Sequence, residues 1–188
     1  MKKVAIIGTF STGKTTLTRD LCKLMGKKAW EIDENVRDIT RKKLKKESTG
    51  HLDPAEFLQL QEIFYEYQKE KVEKASTEII IVDSAFSQFT HLACYSQLRP
   101  DLNHSYDKKT LSYWKELNKK EAKAYDFIIY CPNVLELEDD GFRPINHNFR
   151  NAVEKHYGEF GSSCTKNFFV VSGTPETRVK QVMKLLGE

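Results

Sequence analysis

The stretch VAIIGTFSTGKTTLTRDLCKLM, residues 4–25, decides the fold of this chain. It begins with a short apolar run and ends with leucines at helical spacing. Between them, GTFSTGKTT fits the phosphate-binding pattern G-x-x-x-x-G-K-[ST], whose fixed positions are Gly8, Gly13, Lys14 and Thr15. A strand before this pattern and a helix after it are the context in which it forms a phosphate loop.

Each residue type in this loop suits the binding of a phosphate group. Gly8 allows the chain to turn sharply off the strand, and Gly13 lets the main chain approach the phosphates without a Cβ atom in the way. Lys14 is expected to face solvent and reach the β- and γ-phosphates, while the Thr15 hydroxyl takes a position on Mg²⁺. We therefore expect ATP and Mg²⁺ as cofactors, with the phosphates held by Gly8, Ser11, Thr12, Gly13, Lys14, Thr15 and Thr16.

The composition indicates one domain spanning residues 1–188, which is long enough to bury a core of its own. Charged residues make up 30% of the chain, but the net charge is only +3, so no strong field of one sign is expected. Nucleic-acid binding is therefore allowed but not favoured. Only seven of the 30 basic residues are Arg, and their rigid guanidinium forks suit phosphate better than Lys does.

The cysteines and the apolar runs indicate a soluble cytoplasmic protein. The chain has four cysteines with no C-x-x-C pair and no regular spacing, which is typical of reduced thiols. The apolar stretch in the N-terminus MKKVAIIG is too short for the core of a signal peptide, and no apolar run approaches the length of a membrane span. The sequence leaves the oligomeric state open.

Continuous apolar runs predict a parallel sheet that is covered on both faces. They are rich in Ile, Val or Phe and do not alternate with polar residues, as is typical of buried parallel strands. The runs are KVAIIG (3–8), the weaker KAWEID (28–33), EIIIVD (78–83), DFIIYC (126–131) and FFVVSG (168–173). Helical patterns separate these runs, so the sequence predicts a three-layer α/β/α fold of the P-loop NTPase class with about five parallel strands.

Helical patterns complete the predicted domain. Leu17, Leu21 and Leu24 form a stripe after the loop, and a helix over 54–74 is opened by Asp53 as cap. Pro175 opens a last helix. Further helices are predicted as an insertion at about 91–124, and a mobile lid at about 137–150.

Asp83 ends the most hydrophobic run of the chain. We therefore expect it at the carboxyl edge of the sheet, where open α/β folds bind their ligands. A carboxylate there could hold Mg²⁺ or a water bound to it, so Thr15 and Asp83 are the predicted metal ligands. The alternative is a solvated carboxylate at the end of a strand.

The segment ENVRDI, residues 34–39, has a carboxylate three residues before an Arg. On the first turn of a helix, Glu34 and Arg37 share a face. Glu34, or its neighbour Asp33, would then accept a proton from an attacking hydroxyl while Arg37 holds the acceptor. A surface ion pair at the start of a helix explains the same residues equally well.

The segment LEDDGFRP, residues 137–144, combines a Gly turn with an Arg and is too polar for the core. A mobile lid carrying Arg143 would exclude water and stabilise the charge of the transferring phosphoryl group. Arg150 is a second candidate on the same lid, directed at the substrate. The alternative is a β-turn whose Arg faces solvent.

Two further stretches are candidates for binding the rings of the ligands. Gln61 lies between Phe57 and Phe64 at helical spacing and could hydrogen-bond an acceptor ring between aromatic walls, although such residues often form plain core. Gly173 and Thr174 could let the main chain approach the adenine ring. Helix capping by Thr174, with Pro175 in the first turn, explains them nearly as well.

With these pieces in order, the chain resembles P-loop small-molecule kinases, most closely the ribosylnicotinamide kinase domain of bifunctional NAD-biosynthesis regulators. The likeness is distributed over GTFSTGKTTL, AWEIDENVRDI, LDPAEFLQLQ, IIIVDSAFSQFT and LEDDGFRP. The fourth stretch is similar to that family's strand-end Asp-Thr-Asp segment, and the last to its Asp-Asp-Gly-Leu-Arg lid. In two departures, Ala85 stands at the second Asp position and the spacing around DENVR differs. The resemblance therefore implies a kinase fold more firmly than nicotinamide riboside as substrate.

The main hypothesis is an ATP- and Mg²⁺-dependent kinase for a nucleoside- or nucleotide-like small molecule, with nicotinamide riboside as the first candidate. The expected catalytic residues are Lys14, Glu34, Asp83 and Arg143. The expected substrate-binding residues are Asp33, Arg37, Gln61 and Arg150.

Three other functions are alternatives to this hypothesis. A GTPase needs Asn-Lys-x-Asp and Asp-x-x-Gly after particular strands, and CPNVLEL and DSAF stand there instead. A deoxynucleoside monophosphate kinase stays open, because several Arg side chains could hold an acceptor phosphate. A polynucleotide 5′-kinase or nucleic-acid-stimulated ATPase also stays open, although the modest charge argues against an extended backbone groove.

Overall fold

The protein is described by a computed structural model that covers residues 1–33, 35–134, 136, 141–143, 145–164 and 167–188. Within these ranges the strands are β1 (Lys2–Ile7), β2 (Ala29–Ile32), β3 (Ile79–Asp83), β4 (Phe127–Tyr130) and β5 (Phe168–Val170). They pair in parallel in the order β2-β3-β1-β4-β5. The carboxyl ends of all five strands therefore lie at one edge of the sheet.

Helices cover both faces of this sheet. In the described chain they are α1 (Lys14–Met25), α2 (Val36–Lys43), α3 (Pro54–Lys74), α4 (Gln88–Ala93), α5 (Tyr95–Leu98), α6 (Lys108–Ala122), α7 (His147–Cys164) and α8 (Pro175–Leu186). Short 3₁₀ turns occur at Gly26–Lys28, Thr49–His51 and Pro100–Leu102. No helix in the described ranges has the length and hydropathy needed to cross a membrane.

The central strand β1 separates two hydrophobic cores. Its even-numbered residues Val4 and Ile6 pack with α1 and α8, chiefly against Leu17, Leu21, Val182 and Leu186. Its odd-numbered residues Ala5 and Ile7 face a larger cluster contributed by helices between α2 and α7. Because successive side chains of a strand point to opposite faces, this alternation produces three layers.

The register of the sheet brings the end of β3 beside the end of β1. Ile6 lies opposite Asp83 on β3 and Ile129 on β4. The chain leaves β1 at Ile7 and turns at Gly8 into the predicted phosphate loop. Asp83 is therefore level with the start of that loop, at the edge where ligands bind in open parallel sheets.

The predicted fold class is confirmed, and so are most of the predicted elements. Asp53 caps α3 through a capping box with Glu56, as its sequence predicts. The last strand is shorter than expected, because the chain turns toward α8 after Val171. Leu24 is 62% exposed, since the buried face of α1 continues from Leu21 to Met25 instead.

A single buried side chain joins two of the helices between β3 and β4. Asn118 on α6 is fully buried, and its Oδ1 accepts a hydrogen bond of 2.8 Å from the main-chain N–H of Phe89. Its Nδ2 donates to Gln88 Oε1 at 2.9 Å. The N-cap residue Ser87 makes no side-chain hydrogen bond to the first turn of α4. Asn118 therefore accepts from the N–H of Phe89, which would otherwise have no partner within the helix. Asn118 therefore fixes α4 against α6.

Replacing Asn118 with Ala should lower the free energy of unfolding by about 2 kcal/mol, because buried polar groups of α4 lose their partner. Urea denaturation followed by circular dichroism measures this change. The matched control is Lys120→Ala, an exposed substitution on the same helix, which should change the free energy by less than about 0.5 kcal/mol. Equal unfolding midpoints for the two variants would contradict the role of Asn118.

Candidate active site

The loop between β1 and α1 has the main-chain conformation that its glycines predict. Gly8 has φ +144°, and a Cβ atom added there would lie 2.4 Å from the main-chain oxygen of Cys131. Gly13 has φ 80°, in the left-handed region. Ser11 also lies in that region, with φ 56°, which is uncommon for a residue other than glycine. The loop is therefore tightly folded against the end of β4.

The first turn of α1 is open to an anion. Gly13 at the N-cap provides no side-chain cap bond, and the first turn contains no acidic residue. The first N–H groups of a helix lack partners within the helix, and the helix dipole is positive there. This turn thus has the properties of a phosphate site.

Lys14 lies deeper than the sequence analysis predicts. Its side chain is only 7% exposed, and Nζ donates a 2.7 Å hydrogen bond to the carbonyl of Thr9. The hydroxyl of Thr12 donates to the same carbonyl at 2.9 Å. The expectation that Lys14 faces solvent is wrong, because the loop folds back over its own lysine and offers it an acceptor.

Arg150 lies beneath the phosphate loop. It belongs to α7 and is 4% exposed. Its Nε donates to the carbonyl of Phe10 at 3.3 Å, and its Nη2 to the carbonyl of Ser11 at 3.2 Å. Burial lowers the pKa of Arg150, and Glu154 opposes this shift. Arg150 was predicted to lie on a mobile lid, but it lies on α7, which docks against the loop.

Arg178 makes a similar contact from the opposite side. It lies on the first turn of α8 and is 3% exposed, and its Nη1 donates to the carbonyl of Thr12 at 2.6 Å. Its Nε donates to the carbonyl of Gly173 at 3.0 Å. The sequence analysis missed this residue. The available signal was an Arg among apolar positions on the buried side of α8, close to Val179 and Val182.

Asp83 and Thr15 meet at the edge of the sheet. Asp83 is fully buried, and its Oδ2 accepts a 2.6 Å hydrogen bond from the Thr15 hydroxyl. Ser84 donates to Oδ1 at 3.2 Å, and Gln68 of α3 donates to the main-chain oxygen at 2.8 Å. Ser84 has φ 57°, so the turn after β3 is strained where it meets the loop.

The oxygen atoms of Thr15 and Asp83 suit a Mg²⁺ ion. The described residues contain no cluster of three or more His, Cys, Asp or Glu side chains that could hold a metal by themselves. Mg²⁺ commonly takes one or two protein oxygen ligands and completes its shell with phosphates and water. A hydroxyl and a carboxylate beside a phosphate loop therefore fit this ion.

An apolar pocket opens beside the phosphate loop, with about 630 Å³ of empty space that includes open solvent. Gly8, Lys14 and Ser84 form its end at the loop. Aromatic and aliphatic side chains from α2, α3, α5, α7 and the loop are half of the lining residues: Phe10, Val36, Phe57, Leu60, Phe64, Leu98 and Phe149. The polar side chains of Thr49, Gln61, His91 and Arg143 complete the lining.

Gln61 is a buried polar group in the wall of this pocket. Its side chain is 4% exposed, and Oε1 has no hydrogen-bond partner among the residues that the structure describes. Phe57 and Phe64 lie in the same wall, as the helical spacing predicts. A buried acceptor without a partner is costly, which suits a ligand that brings an N–H or O–H donor.

Phe142 joins the predicted lid segment to Ser48 and Thr49, and Thr49 lines the pocket. Its ring is 1% exposed, with the guanidinium carbons of Arg37 and Arg143 at 4.8 and 6.0 Å from the ring centroid. Its carbonyl accepts hydrogen bonds from Ser48 Oγ at 2.6 Å and from the N–H of Thr49 at 3.3 Å. The structure thus brings Arg37 and Arg143 together on one ring, which the sequence analysis did not predict.

The candidate bases Asp33 and Glu34 follow β2 in the sequence. Glu34 is outside the described residues, and so are residues 137–140 and 144 of the predicted lid. Asp33 is exposed, and its Oδ1 accepts a 2.6 Å hydrogen bond from the Tyr67 hydroxyl. Burial, together with this bond, raises the pKa of Tyr67. Asp33 does not line the pocket as described.

The remaining predicted nucleotide contacts lie on the outer side of the loop. Thr16 is exposed on α1. Gly173 and Thr174 are also exposed, and the Thr174 hydroxyl accepts from the N–H of Thr177 at 3.3 Å. Thr174 therefore caps α8, which is one of the two explanations that the sequence allows. Contact of Gly173 and Thr174 with an adenine ring stays a prediction.

Comparison with known proteins gives one family match and several similar folds. Residues 3–178 match the family model described as AAA domain (AAA_28). No curated protein matches the sequence significantly. The similar solved structures include the NadR protein in complex with NR, deoxyadenosine kinase from M. mycoides with bound dATP, and thymidylate kinase from Candida albicans.

The three structures share the fold at low sequence identity. NadR has 21% identity and a TM-score of 0.68, and the alignment covers 100% of this chain and 52% of NadR. Deoxyadenosine kinase has 18% identity and a TM-score of 0.70, and the alignment covers 100% of both chains. Thymidylate kinase has 15% identity and a TM-score of 0.69, and the alignment covers 99% of this chain and 91% of thymidylate kinase. This chain thus spans about half the length of NadR.

Replacing Gly8 with Ala should destabilise the protein by more than about 2 kcal/mol and abolish nucleotide binding, since the new Cβ meets a main-chain oxygen. Thermal melting with and without ATP measures both effects. The control is Gly158→Ala in α7, where a Cβ has open space and should stabilise the helix slightly. Nucleotide binding by Gly8→Ala at the level of the control would contradict the tight turn.

Proposed function

The chain belongs to the AAA domain family, and we propose that it is a kinase that transfers the γ-phosphate of ATP, with Mg²⁺, to a nucleoside- or nucleotide-like small molecule. The observation that carries the proposal is the apolar pocket that ends at Gly8 and Lys14. An acceptor in this pocket would lie directly beside the phosphates.

In this proposal the loop binds the polyphosphate of ATP. The binding residues are Gly8, Ser11, Thr12, Gly13, Lys14, Thr15 and Thr16, with Gly173 and Thr174 beside the adenine. Lys14 exchanges its bond to the Thr9 carbonyl for one to the phosphates. The Thr15 hydroxyl and the Asp83 carboxylate would hold Mg²⁺, which when bound neutralises charge on the phosphates.

The transfer step requires positioning and charge stabilisation more than covalent help from the protein. The acceptor hydroxyl oxygen bonds to the γ-phosphorus while the bond from that phosphorus to the bridging oxygen of ADP breaks. The hydroxyl proton passes to a carboxylate, for which Glu34 is the first candidate and Asp33 the second. Arg143 stabilises the transferring charge, and the aromatic walls exclude water, which limits hydrolysis of ATP.

The pocket lining supports an acceptor that carries a flat ring with an N–H donor. Its walls are aromatic, and Gln61 offers a buried carbonyl oxygen. Nicotinamide riboside, whose carboxamide has such donors, ranks first because of the family resemblance. Nucleosides with an amino group on the base have the same chemistry. The proposed location of this activity is the cytoplasm.

A second candidate is a deoxynucleoside monophosphate kinase. The observation that favours it is the convergence of Arg37 and Arg143 on the Phe142 ring. Two guanidinium groups near the pocket would suit an acceptor phosphate, because Arg binds phosphate with two parallel hydrogen bonds. A polynucleotide acceptor is less favoured, since the basic residues in the described lining of the pocket are only Lys14, His91 and Arg143.

The first functional prediction is that one acceptor compound stimulates the release of ADP. With Mg²⁺ and ATP, ADP release should be slow in water alone and rise at least about tenfold with one compound of a panel, because correct binding excludes water and aligns the hydroxyl. The panel contains nicotinamide riboside, other nucleosides, nucleoside monophosphates and 5′-hydroxyl oligonucleotides. A coupled assay measures ADP, and mass spectrometry identifies the phosphorylated product.

Two variants serve as controls for the panel. Lys14→Ala should release no ADP, and it should also melt below the wild-type temperature, because the Thr9 carbonyl loses one of its two donors. Gln61→Leu should raise the KM of the acceptor about tenfold and leave the KM of ATP unchanged, since it removes only an acceptor contact. Stimulation by oligonucleotides alone would replace the small-molecule proposal with a polynucleotide kinase. No stimulation by any compound would contradict both.

Substitutions of Asp83 and Glu34 should affect different properties of the enzyme, the first its dependence on Mg²⁺ and the second the rate of transfer. Asp83→Asn should raise the Mg²⁺ concentration for half-maximal activity about tenfold, because an amide is a poorer ligand for Mg²⁺ than a carboxylate. Glu34→Gln should leave Mg·ATP binding intact and slow transfer about a hundredfold, as expected for loss of a general base. The exposed substitution Asp38→Asn is the control. The two roles are exchanged if Asp83→Asn binds metal normally and only transfer fails.

A further inference from the structure

Arg178 is a buried cation behind the phosphate loop that the proposed function does not yet use. It is 3% exposed, with hydrogen bonds of 2.6 Å to the Thr12 carbonyl and 3.0 Å to the Gly173 carbonyl. These two carbonyls belong to different segments, one in the loop and one in the turn before α8. A single guanidinium group therefore holds both segments together.

No carboxylate lies within 4.0 Å of Arg178 in the described part of the chain. Arg99 shows the usual arrangement in this protein, because its Nη2 lies 2.7 Å from the carboxylate of Asp101 near the surface. A buried charge without an opposite charge is expensive, and main-chain carbonyls compensate only part of that cost. The position becomes favourable when an anion binds nearby.

The positive charge of Arg178 acts at the loop itself. Burial raises the pKa of Cys131 to about 11, and the charges of Lys14 and Arg178 both act to lower that pKa. The carbonyl of Cys131 is the atom against which Gly8 packs. Lys14 and Arg178 thus contribute to one region of positive potential at the start of α1, where the helix dipole has the same sign.

We propose that Arg178 is a positioning residue of the nucleotide site, which holds the phosphate loop at Thr12 and supplies a buried positive charge that the polyphosphate neutralises. This inference rests on the proposed function, since it requires a nucleotide polyphosphate on the loop. It assigns the residue no contact with the reacting atoms. The acceptor pocket is unaffected by it.

Arginine suits this position better than lysine. Its planar guanidinium presents Nε and Nη1 in fixed directions, and these two groups reach the Gly173 and Thr12 carbonyls. A lysine at this position would keep the charge but could hold the two carbonyls only with a single ammonium group. A glutamine would keep donors and lose the charge. The two substitutions therefore separate charge from hydrogen bonding.

The experiment measures the dissociation constants of AMP, ADP and ATP, each with Mg²⁺, by isothermal titration calorimetry. The proteins are the wild type, Arg178→Gln, Arg178→Lys and the control Lys180→Gln, which removes an exposed charge from the same helix. Arg178→Gln should weaken ATP binding at least about tenfold, in line with the cost of losing a charged hydrogen-bonding group. The loss should increase from AMP to ADP to ATP, whereas Lys180→Gln should change each constant less than about twofold.

Arg178→Lys keeps the test decisive if Arg178→Gln does not fold. It should lose less affinity for ATP than Arg178→Gln does. Its loss of affinity should differ little between AMP, ADP and ATP. A loss in Arg178→Gln that is equal for AMP and ATP would overturn the proposal, as would affinities equal to those of Lys180→Gln. With Arg178→Lys alone, a loss for ATP of about tenfold or more would overturn it, since that variant keeps the charge. Failure of the wild type to bind ATP would instead contradict the proposed function.

Discussion

The carbonyl groups of residues 9–12 must find hydrogen-bond donors behind the phosphate loop. A loop that presents its N–H groups to a polyanion turns its carbonyls toward the protein, where an unpaired main-chain oxygen is costly. Lys14 donates to Thr9, Arg150 to Phe10 and Ser11, and Arg178 to Thr12. These cations come from α1, α7 and α8, so the loop keeps its shape only when all three helices are docked on the sheet.

The sheet order supplies the other half of the site. Because β1 lies between β3 and β4, the loop that leaves β1 meets Asp83 on one side and Cys131 on the other. Gly8 has no space for a Cβ atom against Cys131, and Thr15 bonds Asp83 at 2.6 Å. Strand register, and not flexible loops, thus fixes the position of Thr15 and Asp83 beside the phosphate loop.

Local patterns in the sequence predicted the features that depend on residues near one another along the chain. They failed to predict contacts between distant segments. The loop, the strands, the cap at Asp53 and the strand-end position of Asp83 follow from short-range chemistry. The docking of Arg150 under the loop and the contact of Arg178 with Thr12 join residues that are 139 and 166 positions apart. No spacing rule predicts such pairs. The burial of Lys14 is a third failure, and it depends on how the loop folds back on itself. For Gln61 the helical spacing predicted the wall, but only the structure gives the buried oxygen without a described partner.

The buried cations also connect nucleotide binding to stability. Lys14, Arg150 and Arg178 lie close to the same few carbonyls, and positive charges that share a buried region repel one another. Asp83 is buried at the same edge and offsets part of this charge. A polyphosphate on the loop would offset more, and a ligand that binds only the folded chain stabilises it by about 2.7 kcal/mol at a hundred times its dissociation constant. The loop that is proposed to bind the nucleotide is therefore also a part of the fold whose buried positive charge a bound nucleotide would offset.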